Sequence, residues 1–314
     1  MAFTKPLSSV DPCPSTTGLS LCNDLVFKIL FSDHLPLLTD LINAVRYPAQ
    51  PIAVRRVLNP TILPEDLAGK EIILDILAED SNGQRLAIEM QLQRFLHWPE
   101  RHVYGVARSL AAQLGAGQDY RLLKPSIGIS LLVHDLFKDH ADRGTWHFTL
   151  RDTLRPQIQL GQVLQVHIIE LRKAEKQLWL PAPLQAWIAC LLHNLDEAAM
   201  SEITHPPVKE ALKHLETLYS NEELRLAAER RAQALIDAED IVDCAYFEGK
   251  QEGIEEGLEQ GLEQQQQTLL RMLERRFGST PTQYQTKILE ADAPHLQEWT
   301  LNMLDARRIE DVFA

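Results

Sequence analysis

Hydrophobic spacing along this chain changes period several times. From Asn23, apolar residues recur every three or four positions: Leu25, Phe27, Ile29, Leu30 and Phe31, then Leu37, Leu38, Leu41, Ile42 and Val45. That period predicts two short helices flanking Pro36. Ile52 to Leu58 reads as a strand, Asn59 to Leu67 as a proline-containing loop, and Glu71 to Glu79, rich in Ile and Leu, as a strand. Asp80-Ser81-Asn82-Gly83 follows, and an Asn-Gly pair between two such runs signals a hairpin whose returning strand is Gln84 to Gln93. After Pro99, the residues Val103, Val106, Ala107, Leu110, Ala111 and Leu114 predict one helical face, ended by Gly115 or Gly117. Ile127 to Val133, Trp146 to Leu150 and Val163 to Leu171 predict strands, and Pro183 to Leu195 a helix. Beyond Pro207 the chain reads as helical to its end, apart from short breaks.

Helices and strands intermixed over residues 21–200 predict one domain of mixed α/β (α+β) class. Residues 1–20, rich in Pro, Ser and Thr, read as a disordered tail. Residues 201–267 read as a helical connector, and 268–314 as a small helical domain with Leu269 to Phe277, Gly278 as a stop, and Trp299, Leu301, Leu304 and Ile309. The connector carries Gly249, Gly253, Gly257 and Gly261 at one four-residue spacing. Each interior Gly weakens a helix by about 1 kcal/mol relative to Ala. Residues four apart line one helical stripe, along which a second backbone can approach closely. A self-association helix and a solvated acidic connector are the two readings of this segment, and the first predicts a homo-oligomer.

Composition narrows the chemistry. The chain has 314 residues, 31 basic and 44 acidic, for a formal net charge of −13. With 45 % hydrophobic and 24 % charged residues it has the composition of a globular protein. No run approaches the roughly 20 apolar residues that cross a bilayer, and the first residues lack the apolar core of a signal peptide. The expected compartment is the cytoplasm. Cys13, Cys22, Cys190 and Cys244 form no Cys-x-x-Cys pair, which argues against a thiolate metal site or redox dithiol. No glycine-rich loop of nucleotide-binding type occurs, so no nucleotide cofactor is expected. His97, His102 and His134-Asp135 have no recognisable nucleophile context, and Trp146, Trp179 and Trp187 read as core or interface aromatics.

The hairpin carries the candidate chemistry. Alternation puts Ile72, Leu74, Ile76 and Ala78 on one face of its first strand and Asp75 on the other; Glu89, Gln91 and Gln93 share a face of the second. A three-residue loop with Gly83 left-handed pairs Asp75 with Glu89, whereas a two-residue loop pairs Asp75 with Met90. The first register keeps the apolar faces together and sets both carboxylates on one side. Two ionised carboxylates so placed repel unless a cation sits between them, and hard oxygen ligands suit Mg²⁺ or Mn²⁺. The charge is also locally reversed: between Gln84 and Lys124 six bases (Arg85, Arg94, Arg101, Arg108, Arg121, Lys124) face three acids (Glu89, Glu100, Asp119). Arg101 and Arg108, seven apart on one helix, lie on one face that could meet backbone phosphates.

The segments Asn23 to Phe31 (NDLVFKILF), Lys70 to Ile76 (KEIILDI), Ile88 to Gln91 (IEMQ) and Arg101 to Tyr104 (RHVY) resemble, in order and spacing, the Rpn family of recombination-promoting nucleases and transposases. These belong to the PD-(D/E)XK nuclease superfamily. The similarity covers roughly residues 22–133; the glycine-repeat tail and the last fifty or so residues also resemble segments found behind such nucleases, the latter a small domain of unknown function. The resemblance implies a restriction-endonuclease-like core with a central mixed sheet flanked by helices, followed by a helical C-terminal region. It implies a metal-dependent DNA endonuclease in which Asp75 and Glu89 hold Mg²⁺ (or Mn²⁺ or Ca²⁺). Gln91 stands where many superfamily members have Lys; its amide can orient water and phosphate but supplies no charge. Asp24 either adds a third acid near the metal or caps and positions the first helix. Lys70 could approach phosphate from the start of its strand. The rival function is an interaction protein whose nuclease-like fold no longer cleaves at a useful rate.

Overall fold

The computed structural model describes residues 20–59, 76–92, 97–193 and 203–314. Residues 1–19 of the expected N-terminal tail, the loop after Asn59, the first residues of the Glu71–Glu79 strand, and Cys13, Lys70, Asp75 and Arg94 lie outside the described residues; Ser20, the tail's expected last residue, is buried. The chain divides into two compact units, Met1–Asp237 and Ala238–Ala314.

Two helices open the first unit. Asn23 caps α1 (Asp24–Asp33), its side chain accepting the backbone N–H groups of Leu25 and Val26. Pro36 falls in the first turn of α2 (Leu35–Arg46) rather than between the helices, because a proline there forfeits no helical hydrogen bond. Six strands follow: β1 (Val54–Val57), β2 (Ile76–Asp80), β3 (Arg85–Gln91), β4 (Ser126–Leu132), β5 (Thr145–Thr149) and β6 (Leu164–Glu170). They form one mixed sheet in the order β1-β2-β3-β4-β6-β5. The β3–β4 and β4–β6 ladders are parallel and the rest antiparallel. The hairpin ladder runs from Ile76↔Ile88 to Glu79↔Arg85, the register of a three-residue loop, and Gly83 has φ +80°. That left-handed conformation suits Gly alone without strain.

Alternation assigns the two faces of the sheet. Ile76, Ala78, Leu86, Ile88, Ile127 and Ile129 face one way and share a core with Phe27, Phe31, Leu38 and Ile42 of α1 and α2. Leu132, Val166 and Ile168 face the other way, beneath Trp98 and Val106 of α3 (Trp98–Ala111). Because both faces are covered, β4 is buried along its whole length. The buried side of α3 is Trp98, His102 and Val106; Val103 and Ala111, expected to face inward, are exposed. The difference arises on β4, where Gly128 leaves room for an imidazole.

α4 (Leu171–Glu175), α5 (Ala182–Leu192) and α6 (Pro206–Tyr219) complete the layer, and Val208, Ala211, Leu212 and Ala228 join the first core. α7 (Glu222–Phe277) is one helix of 56 residues, ended by Gly278 at φ +86°. In the second unit its last turns pack Leu269 and Leu273 against Ile288 of α8 (Thr282–Leu289) and Leu296, Trp299 and Met303 of α9 (Ala293–Asp305). Leu301 and Leu304 on the same helix are exposed. Arg276 donates to the carbonyls of Leu304 (3.2 Å) and Ala306 (2.8 Å), satisfying groups at the end of α9. Among the described residues no helix is long and apolar enough to cross a membrane.

Candidate active site

Parallel register places Glu89 of β3 beside Ser130 of β4, both facing α3. Glu89 is 7 % exposed and Ser130 fully buried. The Ser130 hydroxyl donates to Glu89 Oε1 at 2.9 Å, and Nδ1 of His102 lies 3.0 Å from the same oxygen. His102 stacks on Trp98, ring centroids 5.1 Å apart. Burial alone would push the Glu89 carboxyl up. The hydrogen bond and charge of His102, the Ser130 hydroxyl and the charge of Arg101 outweigh it, so the carboxyl is held below its ordinary value and stays ionised.

Both contacts fall on Oε1, and neither engages Oε2. An ionised carboxylate with such an oxygen is the donor type that a hard divalent cation takes. Gln91, two residues along β3 and on the same face, is half-buried. The described residues thus bring Glu89 and Gln91 together, with Arg101 close enough to act on Glu89 electrostatically. Among the described residues no group of three or more His, Cys, Asp or Glu side chains is arranged to hold a metal ion.

On the outer side of α3, Arg101, Tyr104, Gly105 and Arg108 are exposed along one stripe. Tyr104 is two-thirds exposed, so it neither packs nor is withdrawn from solvent. Among the described bases of this region, Arg85 pairs with Glu79 at 3.2 Å and Arg121 pairs with Asp119. Asp24 begins α1 and accepts a forked pair of hydrogen bonds from Arg231 of α7, with Nη2 to Oδ2 at 2.8 Å. The capping side chain is that of its neighbour Asn23, which also donates to the Ala228 carbonyl at 3.0 Å.

Residue spacing gave no role to His102, Ser130 or Gly128. The available signal was a glycine and a serine inside the apolar run Ile127 to Val133. Nor did it single out Lys28, a lysine only 2 % exposed on α1. A second buried acid, Glu170 at the end of β6, accepts at Oε1 from the Leu136 and Phe137 amides (2.6 and 2.9 Å) and from Lys173 (3.0 Å), and at Oε2 from the Trp146 indole (2.6 Å). Trp187 is buried and donates to Asp40 at 2.7 Å, whereas Trp179 is exposed.

A family model described as PD-(D/E)XK nuclease family transposase matches residues 21–245. No curated protein and no solved structure matches the chain.

Proposed function

We propose a function from one premise: this chain belongs to the PD-(D/E)XK nuclease family transposases. Membership makes it a nuclease-type protein with a DNA substrate, in a family that generally uses divalent metals. Our reading is an endonuclease that hydrolyses phosphodiester bonds in DNA and can promote recombination. Glu89 carries it: a buried acid kept ionised, whose hydrogen bonds to Ser130 and His102 among the described residues both fall on Oε1, on a strand beneath a helix that exposes Arg101 and Arg108.

In this reading Glu89 and Asp75 hold Mg²⁺, or Mn²⁺ or Ca²⁺ in its place. A bound divalent ion activates water and offsets charge developing on the phosphate. Gln91 orients water or phosphate through its amide, while Arg101 and Arg108, with Lys70, position the DNA backbone. Asp24, engaged by Arg231, positions α1 rather than binding metal. The test is nicking of supercoiled plasmid at low salt with Mg²⁺, Mn²⁺, Ca²⁺ or chelator. Metal-dependent nicking lost in Asp75→Ala is the expected result; nicking that persists in chelator, or in both Asp75→Ala and Glu89→Gln, overturns the reading.

A second part of the reading concerns self-association through α7. Every residue from Asp240 to Gln260 is exposed, including Tyr246, Phe247, Ile254 and Leu258, and beyond the helix's own backbone a Cβ on Gly249, Gly253, Gly257 or Gly261 would meet nothing within 4 Å among the described residues. A second copy laid along this stripe could approach its backbone closely and so offset the helix cost of the glycines. Sedimentation of a protein lacking residues 246–267 tests this, since an unchanged oligomeric state removes the role.

A further inference from the structure

Ser130 has one hydroxyl proton, and it goes to Glu89 Oε1. The imidazole of His102 therefore meets the Ser130 oxygen as a donor, with its ring nitrogens at 3.2 and 3.3 Å, while Nδ1 also reaches Glu89. Two donors converging on one carboxylate oxygen fix a side chain that otherwise has three rotatable bonds. Room for the imidazole comes from β4: a Cβ on Gly128 would lie 2.5 Å from His102 Nε2 and 2.6 Å from Val106 Cγ2. The ring cannot easily yield, because Trp98 stacks on it and Ser130 binds it.

We propose that His102 and Ser130 are positioning residues for Glu89, capturing Oε1 so that Oε2 is presented to a divalent cation, and that Gly128 is the gap that lets His102 do so. The proposal rests on the nuclease reading above. Donors that orient a metal ligand from behind commonly affect metal affinity by about 10–100-fold.

The experiment is calorimetric Mn²⁺ binding to the full chain without DNA, with plasmid nicking and thermal melting measured in parallel. Ser130→Ala and His102→Leu should each weaken Mn²⁺ binding by about 10-fold or more, with nicking recovering as Mn²⁺ is raised. His102→Asn, whose amide N–H can stand in for Nδ1–H, should restore most of the affinity. Ser130→Ala removes only a hydroxyl and keeps the test open should His102→Leu fail to fold. Folded variants that bind Mn²⁺ as tightly as the wild type overturn the positioning role and leave the nuclease reading standing. A wild-type chain that binds no Mn²⁺ and cuts nothing overturns that reading, and the proposal with it.

Discussion

Glu89 and Glu170 lie on strands of one sheet with β4 between them, and both carboxylates are withdrawn from water. Their surroundings differ in how the donors are shared out. At Glu170 both oxygens are taken, by two backbone amides, an indole and Lys173, and Lys173 in turn donates to the Phe137 carbonyl at 2.6 Å. That acid ties the segment around Leu136 and Phe137 to the end of β6. At Glu89 both named donors crowd one oxygen. Burial is common to the two sites; what differs is that neither named donor reaches Glu89 Oε2, whereas each Glu170 oxygen accepts at least one. On the reading proposed above, donors on both oxygens tie a carboxylate into the structure, and donors on one oxygen alone leave the other for a ligand.

Exchanging each acid for its amide separates the two roles. Glu89→Gln should cut metal-stimulated nicking by at least about 10²–10³-fold, the scale of losing one element of preorganised charge stabilisation, while shifting the melting temperature little. Glu170→Gln should do the reverse. It leaves buried Lys173 without its carboxylate, and breaking such a pair costs about 3–5 kcal/mol, read from the urea midpoint. If Glu170→Gln abolished nicking at unchanged stability, the contrast between the sites would be broken. Trp146→Phe sharpens it, since removing the indole donor to Glu170 Oε2 should cost about 1–3 kcal/mol and leave nicking by the folded protein intact.

The smallest effect concerns acid. Glu89 has a folded pKa held below its ordinary 4.5, so its contribution to stability is fully present above that value and is lost as pH falls through the folded pKa. Urea midpoints measured on both sides of pH 4.5 should therefore fall less steeply with acid in Glu89→Gln than in the wild type. An identical slope would show that His102 and Ser130 do not favour the ionised form.

Periodicity made most of the elements legible: two opening helices, whose break falls at His34 rather than at Pro36, the hairpin with its left-handed Gly83, a helix at Pro99 that starts one residue earlier, at Trp98, and the stop at Gly278. The hairpin register was legible because only one loop length kept both apolar faces intact. The buried side of α3 was not, because the choice between Val103 and His102 is made by Gly128 and Ser130, residues distant in sequence on another strand. Helix pattern was equally silent on where the first unit ends. Val208, Ala211, Leu212 and Ala228 look like any amphipathic series until the core they enter is known. Of the candidate site, Glu89, Gln91, Arg101 and Arg108 are placed as carboxylate, amide and exposed bases, and Asp75 and Lys70 lie outside the described residues.

The Asp24–Arg231 pair also sets a clock. Its partners are 207 residues apart, so at a synthesis rate of about 5–20 residues per second Asp24 waits roughly 10–40 s on the ribosome for its guanidinium. Until then the start of α1 holds an acid awaiting its counter-ion, and the first unit cannot reach its final form. A polypeptide released near residue 200 would carry the sheet and both opening helices yet lack this closure.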